Sequence, residues 1–136
     1  MEKQITLTIN DYKRLIGLLK FSVARSAPHE LVSKLHSHLS NANTVEQTAI
    51  DSGVVTMNSR IHLKDVTTRR QSEITLSYPW DAEPRERKIS VLSEPGVALL
   101  GKRENDIVSW KTPRKLGQFE IVKVNYQPEA SKDYYL

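Results

Sequence analysis

The 136-residue chain has no cysteine. That excludes disulfides, thiol catalysis and cysteine-bound zinc. Long apolar runs are also missing. The longest, Val97 to Leu100, falls far short of the roughly 20 residues a membrane helix needs. No apolar leader follows Met1, and with the lack of cysteine this predicts a cytoplasmic protein without a membrane partner. Glycine and proline number only 5 and 6, too few for a collagen-like or low-complexity chain. Charge of one sign is not concentrated anywhere. Residues 1–52 carry 6 basic and 5 acidic side chains and residues 53–136 carry 14 and 11, so the net +4 is spread thinly. A dedicated DNA binder has a denser basic block.

What is present divides by period. Near the N-terminus, Tyr12, Leu15, Ile16, Leu18, Leu19 and Val23 repeat at helical spacing. Thr8 or Asn10 is placed to cap this helix. Leu31, Val32, Leu35, Leu39 and Ala42 form a second stripe, with Ser26 as its expected cap and Pro28 and Glu30 in its first turn. Two short amphipathic helices joined by a short loop are expected to pack antiparallel, as a hairpin about 20 Å long. Thr44 and Gln47 are spaced as a capping box for one more helical turn. After Gly53 the period becomes two. The runs "VVTMNSRIHLKD", "QSEITLSYPW", "RKISVLS", "DIVSWKT" and "QFEIVKVNYQP" read as strands, separated by polar turns. Between the third and fourth lies "PGVALLGK", long enough for one or two helical turns. The expected fold is α+β: a helical hairpin over residues 1–50, then over 51–136 an antiparallel sheet of four to five strands carrying one short helix.

Gly96, Gly101 and Lys102 have the spacing G-x-x-x-x-G-K of a phosphate loop. Arg103 replaces the hydroxyl residue that such a loop needs for magnesium, and the intervening "VALL" favours burial. A short helix with Pro95 in its first turn and Gly101 at its end fits better. His36 and His38 point to different faces of a helix, and His29 and His36 lack an acidic third ligand, so no metal site is expected. There is no nucleophile elbow and no carboxylate pair in an evident cleft. Nothing in the residues calls for an enzyme or a cofactor.

The run Ser93-Glu-Pro-Gly-Val-Ala-Leu-Leu-Gly-Lys-Arg-Glu-Asn-Asp106, followed by "IVSWKTP", resembles the C-terminal domain of the bacterial GreA/GreB transcript cleavage factors, with their pattern S-P-x-G-x-A-L-x-G-x-x-x-G-D. Glu94 is inserted between Ser93 and Pro95, and Asn105 replaces the glycine before Asp106. Asparagine tolerates positive φ, so the turn survives. "VVTMNSRIHLKD" resembles the opening strand of the same domain. The terminal "YQPEASKDYYL" is similar to that of a Gre-like group, the regulators of nucleoside diphosphate kinase. The resemblance is strong over residues 54–136, and over 1–50 it rests on architecture.

This resemblance implies an FKBP-like C-terminal fold, without prolyl isomerase activity, that docks on RNA polymerase at the rim of the secondary channel. Carried over residue by residue, the docking candidates are Ser93, Pro95 and Gly96, with Glu94 beside them. In Gre factors a long coiled coil ends in two acidic residues that help hold catalytic magnesium. Here the hairpin is about half that length, and its tip (Phe21, Ser22, Val23, Ala24, Arg25, Ser26) holds no carboxylate. Magnesium needs oxygen ligands, usually carboxylates. The resemblance therefore implies a monomeric, non-catalytic polymerase regulator that competes with its cleaving relatives. Two other readings stay open. One is an active cleavage factor relying on Glu30. The other is a small module with a weak nucleic-acid contact through Arg69, Arg70, Arg85, Arg87, Lys88, Arg114 and Lys115, with Trp80 stacking on a base.

Overall fold

The computed structural model describes residues 4–21 and 26–136. Strand β1 (Thr6–Thr8) leads directly into helix α1 (Ile9–Leu19). Thr8 is the cap: its Oγ accepts from the Asp11 N–H at 3.0 Å while the residue itself is fully buried. A Thr8→Val substitution keeps the volume and removes that acceptor. It is expected to cost about 1 kcal/mol, read as a lower urea midpoint at unchanged slope.

Leu15 and Leu18 are buried, and Tyr12, Ile16 and Leu19 pack around them. Val23 lies outside the described residues. Helix α2 (His29–Ser40) buries Leu31, Leu35 and Leu39 in the same core. Its first turn holds Glu30 as expected, but the capping position is Pro28, with no side-chain hydrogen bond. Ser26 sits two residues ahead of it, because proline fixes an extended entry and shifts the start of the helix to His29.

The extra helical turn expected at Thr44 is instead strand β2 (Asn43–Val45), parallel to β1 with Thr6 opposite Asn43. Residues 37 positions apart complete each other's backbone hydrogen bonds, and this outweighs the local capping signal.

The main sheet has five strands in the order β5-β4-β3-β7-β6, formed by β3 (Arg60–Asp65), β4 (Gln71–Ser77), β5 (Lys88–Ser90), β6 (Ile107–Lys111) and β7 (Leu116–Tyr126). All pairings are antiparallel except β4 with β5, which run parallel. The chain between them does not turn as a hairpin. It passes through two 3-10 turns, Pro79–Asp81 and Pro84–Glu86, and re-enters with Arg87 in the left-handed region. The β3–β7 register skips Val122: Leu63 faces Ile121 and His62 faces Lys123. That bulge lets Ile121 and Val124, three apart, both reach the core.

The third helix, α3 (Glu94–Leu99), follows β5 and buries Val97 and Leu99. The buried cluster is continuous. Ile5, Leu7, Leu15 and Leu35 belong to it together with Met57, Ile61, Leu99 and Ile121. Among the described residues no helix is long and apolar enough to cross a membrane.

Candidate functional site

The β5–α3 junction is built from short-range hydrogen bonds. Ser93 caps α3: its Oγ accepts from the Gly96 N–H at 3.1 Å and donates to the Ser90 carbonyl at 2.6 Å. Ser90 Oγ in turn accepts from the Leu92 N–H at 3.0 Å. Pro95 occupies the first turn, where its missing N–H costs nothing. Gly96 is buried flat against Ser90. Ser93, Glu94 and Pro95 are half-buried and form the outer lip. The sequence-predicted residues thus fall into two roles. Ser93 and Gly96 hold the turn together, and Glu94 and Pro95 face outward.

The end of α3 accounts for the rest of the phosphate-loop spacing. Gly101 has φ +74° and lies against Ile5, donating to the Val55 carbonyl at 2.9 Å. Asn105, the residue standing where a glycine was expected, has φ +76°, and Asp106 Oδ2 accepts from the Arg103 N–H at 2.8 Å. "REND" is therefore a tight turn into β6. "VALL" supplies core, with Val97, Leu99 and Leu100 buried, rather than a phosphate cradle.

A groove of about 490 Å³ opens beside the lip. Glu94, Val97 and Ala98 of α3 form one wall, Ile107 and Trp110 of β6 another, and Lys34 and His38 of α2 a third. Trp110 is stacked on Phe119, centroids 4.0 Å apart and planes within 6°, which fixes its ring. Ile107 and Leu116, both lining the groove, are about two-thirds exposed (60% and 64%). The groove mixes apolar side chains with charges of both signs: Lys34, Lys102 and Lys111 against Glu94 and Asp106. Its α2 wall was not legible in the sequence, because it depends on how α2 packs on α3.

Of the tip residues, Phe21 is exposed and Ser26 precedes α2, while Ser22, Val23, Ala24 and Arg25 lie outside the described residues. Glu30 is 3.5 Å from the Lys34 ammonium one turn on, a surface pair. Lys88 is 3.4 Å from Glu86, Arg69 and Arg87 occupy left-handed turn positions, and Arg114 and Lys115 sit in the β6–β7 turn. Among the described residues no three His, Asp or Glu side chains are grouped to hold a metal.

One polar group stands apart. Asp11 continues the buried face of α1 at i, i+4 and i+7 with Leu15 and Leu18, and is only 2% exposed. Its Oδ2 accepts from the Met57 N–H at 3.1 Å. Nearby, buried Glu129 accepts from Thr56 Oγ1 at 2.7 Å. Burial pushes the Asp11 carboxyl up to about 7; the Met57 bond and Arg14 oppose the shift, and Glu129 adds to it. An acid in register with an apolar stripe is the sequence signal for it.

Residues 50–126 match the family "Transcription elongation factor, GreA/GreB, C-term". The chain is 31% identical to the "Regulator of nucleoside diphosphate kinase" of Escherichia coli (strain K12), over 96% of this chain and 97% of that protein. The chain belongs to the GreA/GreB family. A Gre relative from Clostridioides difficile (strain 630), "Transcription elongation factor GreA", is 32% identical over 70% of this chain but only 60% of its own length. The solved "Prokaryotic transcription elongation factor GreA/GreB from Nitrosomonas europaea" superposes with a TM-score of 0.77 at 32% identity, covering 92% of this Gre-family chain and all of that one. The lip, the groove wall formed by α3 and β6, and the Asn105 turn all fall within the matched Gre segment.

Proposed function

We propose that this Gre-family protein is a cytoplasmic, monomeric transcription regulator without catalytic activity. It docks on RNA polymerase at the secondary channel and competes there with Gre cleavage factors. In this reading residues 51–136 are an FKBP-like docking domain and residues 1–50 a short helical hairpin entering the channel mouth. Helices of 11 and 12 residues span only about 17–18 Å at 1.5 Å per residue.

The observation that carries the docking role is the lip and its groove. Glu94 and Pro95 stand on a turn whose geometry is set by Ser93 and Gly96, next to a concavity that carries exposed Ile107 and Leu116. A preformed, partly apolar surface loses little entropy on binding. The absence of catalysis is inferred from the tip sequence. Residues 20–29 contain no carboxylate, and Glu30 is engaged with Lys34.

A competition pull-down on core RNA polymerase tests the reading. The protein is expected to bind and to displace a Gre factor. Pro95→Asp places a charge on the lip and is expected to weaken binding about tenfold, which is 1.4 kcal/mol, at an unchanged melting temperature. No binding at micromolar concentration would refute docking. Transcript shortening in a stalled elongation complex would instead establish an active cleavage factor.

A further inference from the structure

A second groove, of about 470 Å³, shares no residue with the first. Its walls are the outer side of α1 (Arg14, Gly17) with Phe21 just past its end, the turn after β4 (Tyr78, Trp80, Asp81) and the C-terminal Tyr135. Three features set it apart. The chain has only four Phe and Trp residues, and two of them, Phe21 and Trp80, are here and about two-thirds exposed (67% and 65%). Trp80 is not loose: its ring stacks on buried Tyr78 with centroids 5.1 Å apart and planes within 2°. One indole face is therefore covered and positioned while much of the ring meets solvent.

Gly17 is the second feature. It lies inside α1 with ordinary helical φ, where glycine costs up to about 1 kcal/mol relative to alanine. No atom lies within 4 Å of where its Cβ would be, so neither packing nor backbone conformation requires glycine. What the missing side chain provides is bare helix backbone in the groove. The third is Arg14. Its Nη1 donates to the Leu136 main-chain oxygen at 2.8 Å, which holds the guanidinium at the groove, with Tyr78 and the Asp11 carboxyl beside it.

A held indole, a held guanidinium and a side-chain-free floor in one concavity match a ligand with a planar body and an anionic group. We propose that this groove binds a nucleoside phosphate. The base stacks on Trp80, the phosphate is met by Arg14, and the sugar lies over Gly17, with Asp81 placed to accept from a ribose hydroxyl or base amine. A nucleic-acid strand fits less well. It needs a track of cations, and this groove offers one arginine beside one carboxylate. The volume falls within the range of small-ligand sites. The groove is separate from the lip, but α1 and Phe21 belong to the hairpin that the docking reading places at the channel mouth.

Calorimetric titration of the full chain with adenosine and guanosine monophosphates, the corresponding nucleosides, inorganic phosphate and a short single-stranded oligonucleotide tests this. Saturable binding of a nucleotide is expected below about 1 mM, with nucleoside and phosphate each at least tenfold weaker. Trp80→Ala removes the stacking face and Gly17→Leu fills the floor; each is expected to weaken nucleotide binding about tenfold or more. Gly17→Leu replaces glycine with a better helix former in open space, so it reports on the groove even if Trp80→Ala folds poorly. No nucleotide saturation by about 1 mM, phosphate binding as well as nucleotide, the oligonucleotide binding more tightly than the mononucleotide, or Gly17→Leu binding as the parent would each overturn the proposal.

Discussion

Gly96→Ala is expected to be the most destabilising single-methyl addition in the β5–α3 region. The new Cβ would sit 2.1 Å from the Ser90 carbonyl oxygen, 2.9 Å from Val91 Cα and 3.0 Å from the Ser90 carbonyl carbon. All three are backbone atoms, so no rotamer change relieves the clash. Relief requires α3 to move away from β5. That motion breaks the Ser93 Oγ bonds to Gly96 and Ser90, and it lifts Val97 and Leu99 out of the core. Behind the clash, the Val91 N–H is fixed to the Ser77 carbonyl at 2.9 Å. Forced overpacking of this kind costs typically about 1–3 kcal/mol, and a purely backbone contact puts this site at about 3 kcal/mol or more. Against a net stability of about 5–15 kcal/mol, that is a large share. Urea denaturation reads it as a lowered midpoint at constant slope. An unchanged midpoint would mean that the junction yields, and the argument that Gly96 shapes the lip would fail. Because the lip is the proposed docking surface, weaker polymerase binding by Gly96→Ala has to be measured at a temperature where the variant is folded.

How much of this was legible beforehand depended on whether a signal was local. The leucine stripes of α1 and α2, the five strands of the sheet and the short α3 each carry their period within a few residues, and all of them formed. Asn105 was a local matter too: a residue tolerant of positive φ was needed, and φ is +76° there. Strands β1 and β2 were not legible. Each is three residues long and exists only because its partner arrives from 37 positions away. The Thr44–Gln47 capping box was a real local preference that tertiary pairing overrode. The parallel entry of β5 has the same origin, since "DAEPRE" marks a turn without saying which way the chain leaves it.

The site shows the same division. The Pro95 first turn and the Gly101 stop were readable as helix punctuation, while the Ser93 cap shows only in the structure. That Gly96 is buried and Glu94 is turned toward a groove was not, because both depend on β5 lying against α3 and α2 lying beyond it. Likewise Asp11, taken locally, is only a residue in the first turn of α1. Only the approach of Met57 and Glu129, from segments far along the chain, makes it a buried carboxyl.

Asp11→Asn is expected to stabilise the protein at pH 8 and to remove a pH-dependent loss that the parent shows. Burial raises the Asp11 carboxyl from 3.8 in the unfolded chain to about 7 in the folded one, so the folded state holds the proton more tightly. The sign follows. Between pH 4 and 7 the folded state carries this proton and the unfolded state has lost it, so stability falls as pH rises. Below about 4 both states are protonated and above about 7 both are ionised, and the contribution is flat. A shift of about 3 pH units corresponds to about 4 kcal/mol at 1.36 kcal/mol per unit. Asparagine retains an oxygen to accept from the Met57 N–H and carries no charge at any pH. The groups facing Asp11 are Glu129, Arg14 and Tyr78. Of these Glu129 repels the ionised form and Arg14 attracts it, so removing the charge relieves the first and forfeits the second. Other carboxylates impose their own pH dependence on both proteins. The difference between variant and parent, taken from urea midpoints across pH 4 to 8, isolates Asp11. It should grow in favour of asparagine as pH rises and level off above pH 7. A difference that is constant with pH would show that Asp11 is ionised throughout and that the charge is satisfied where it lies.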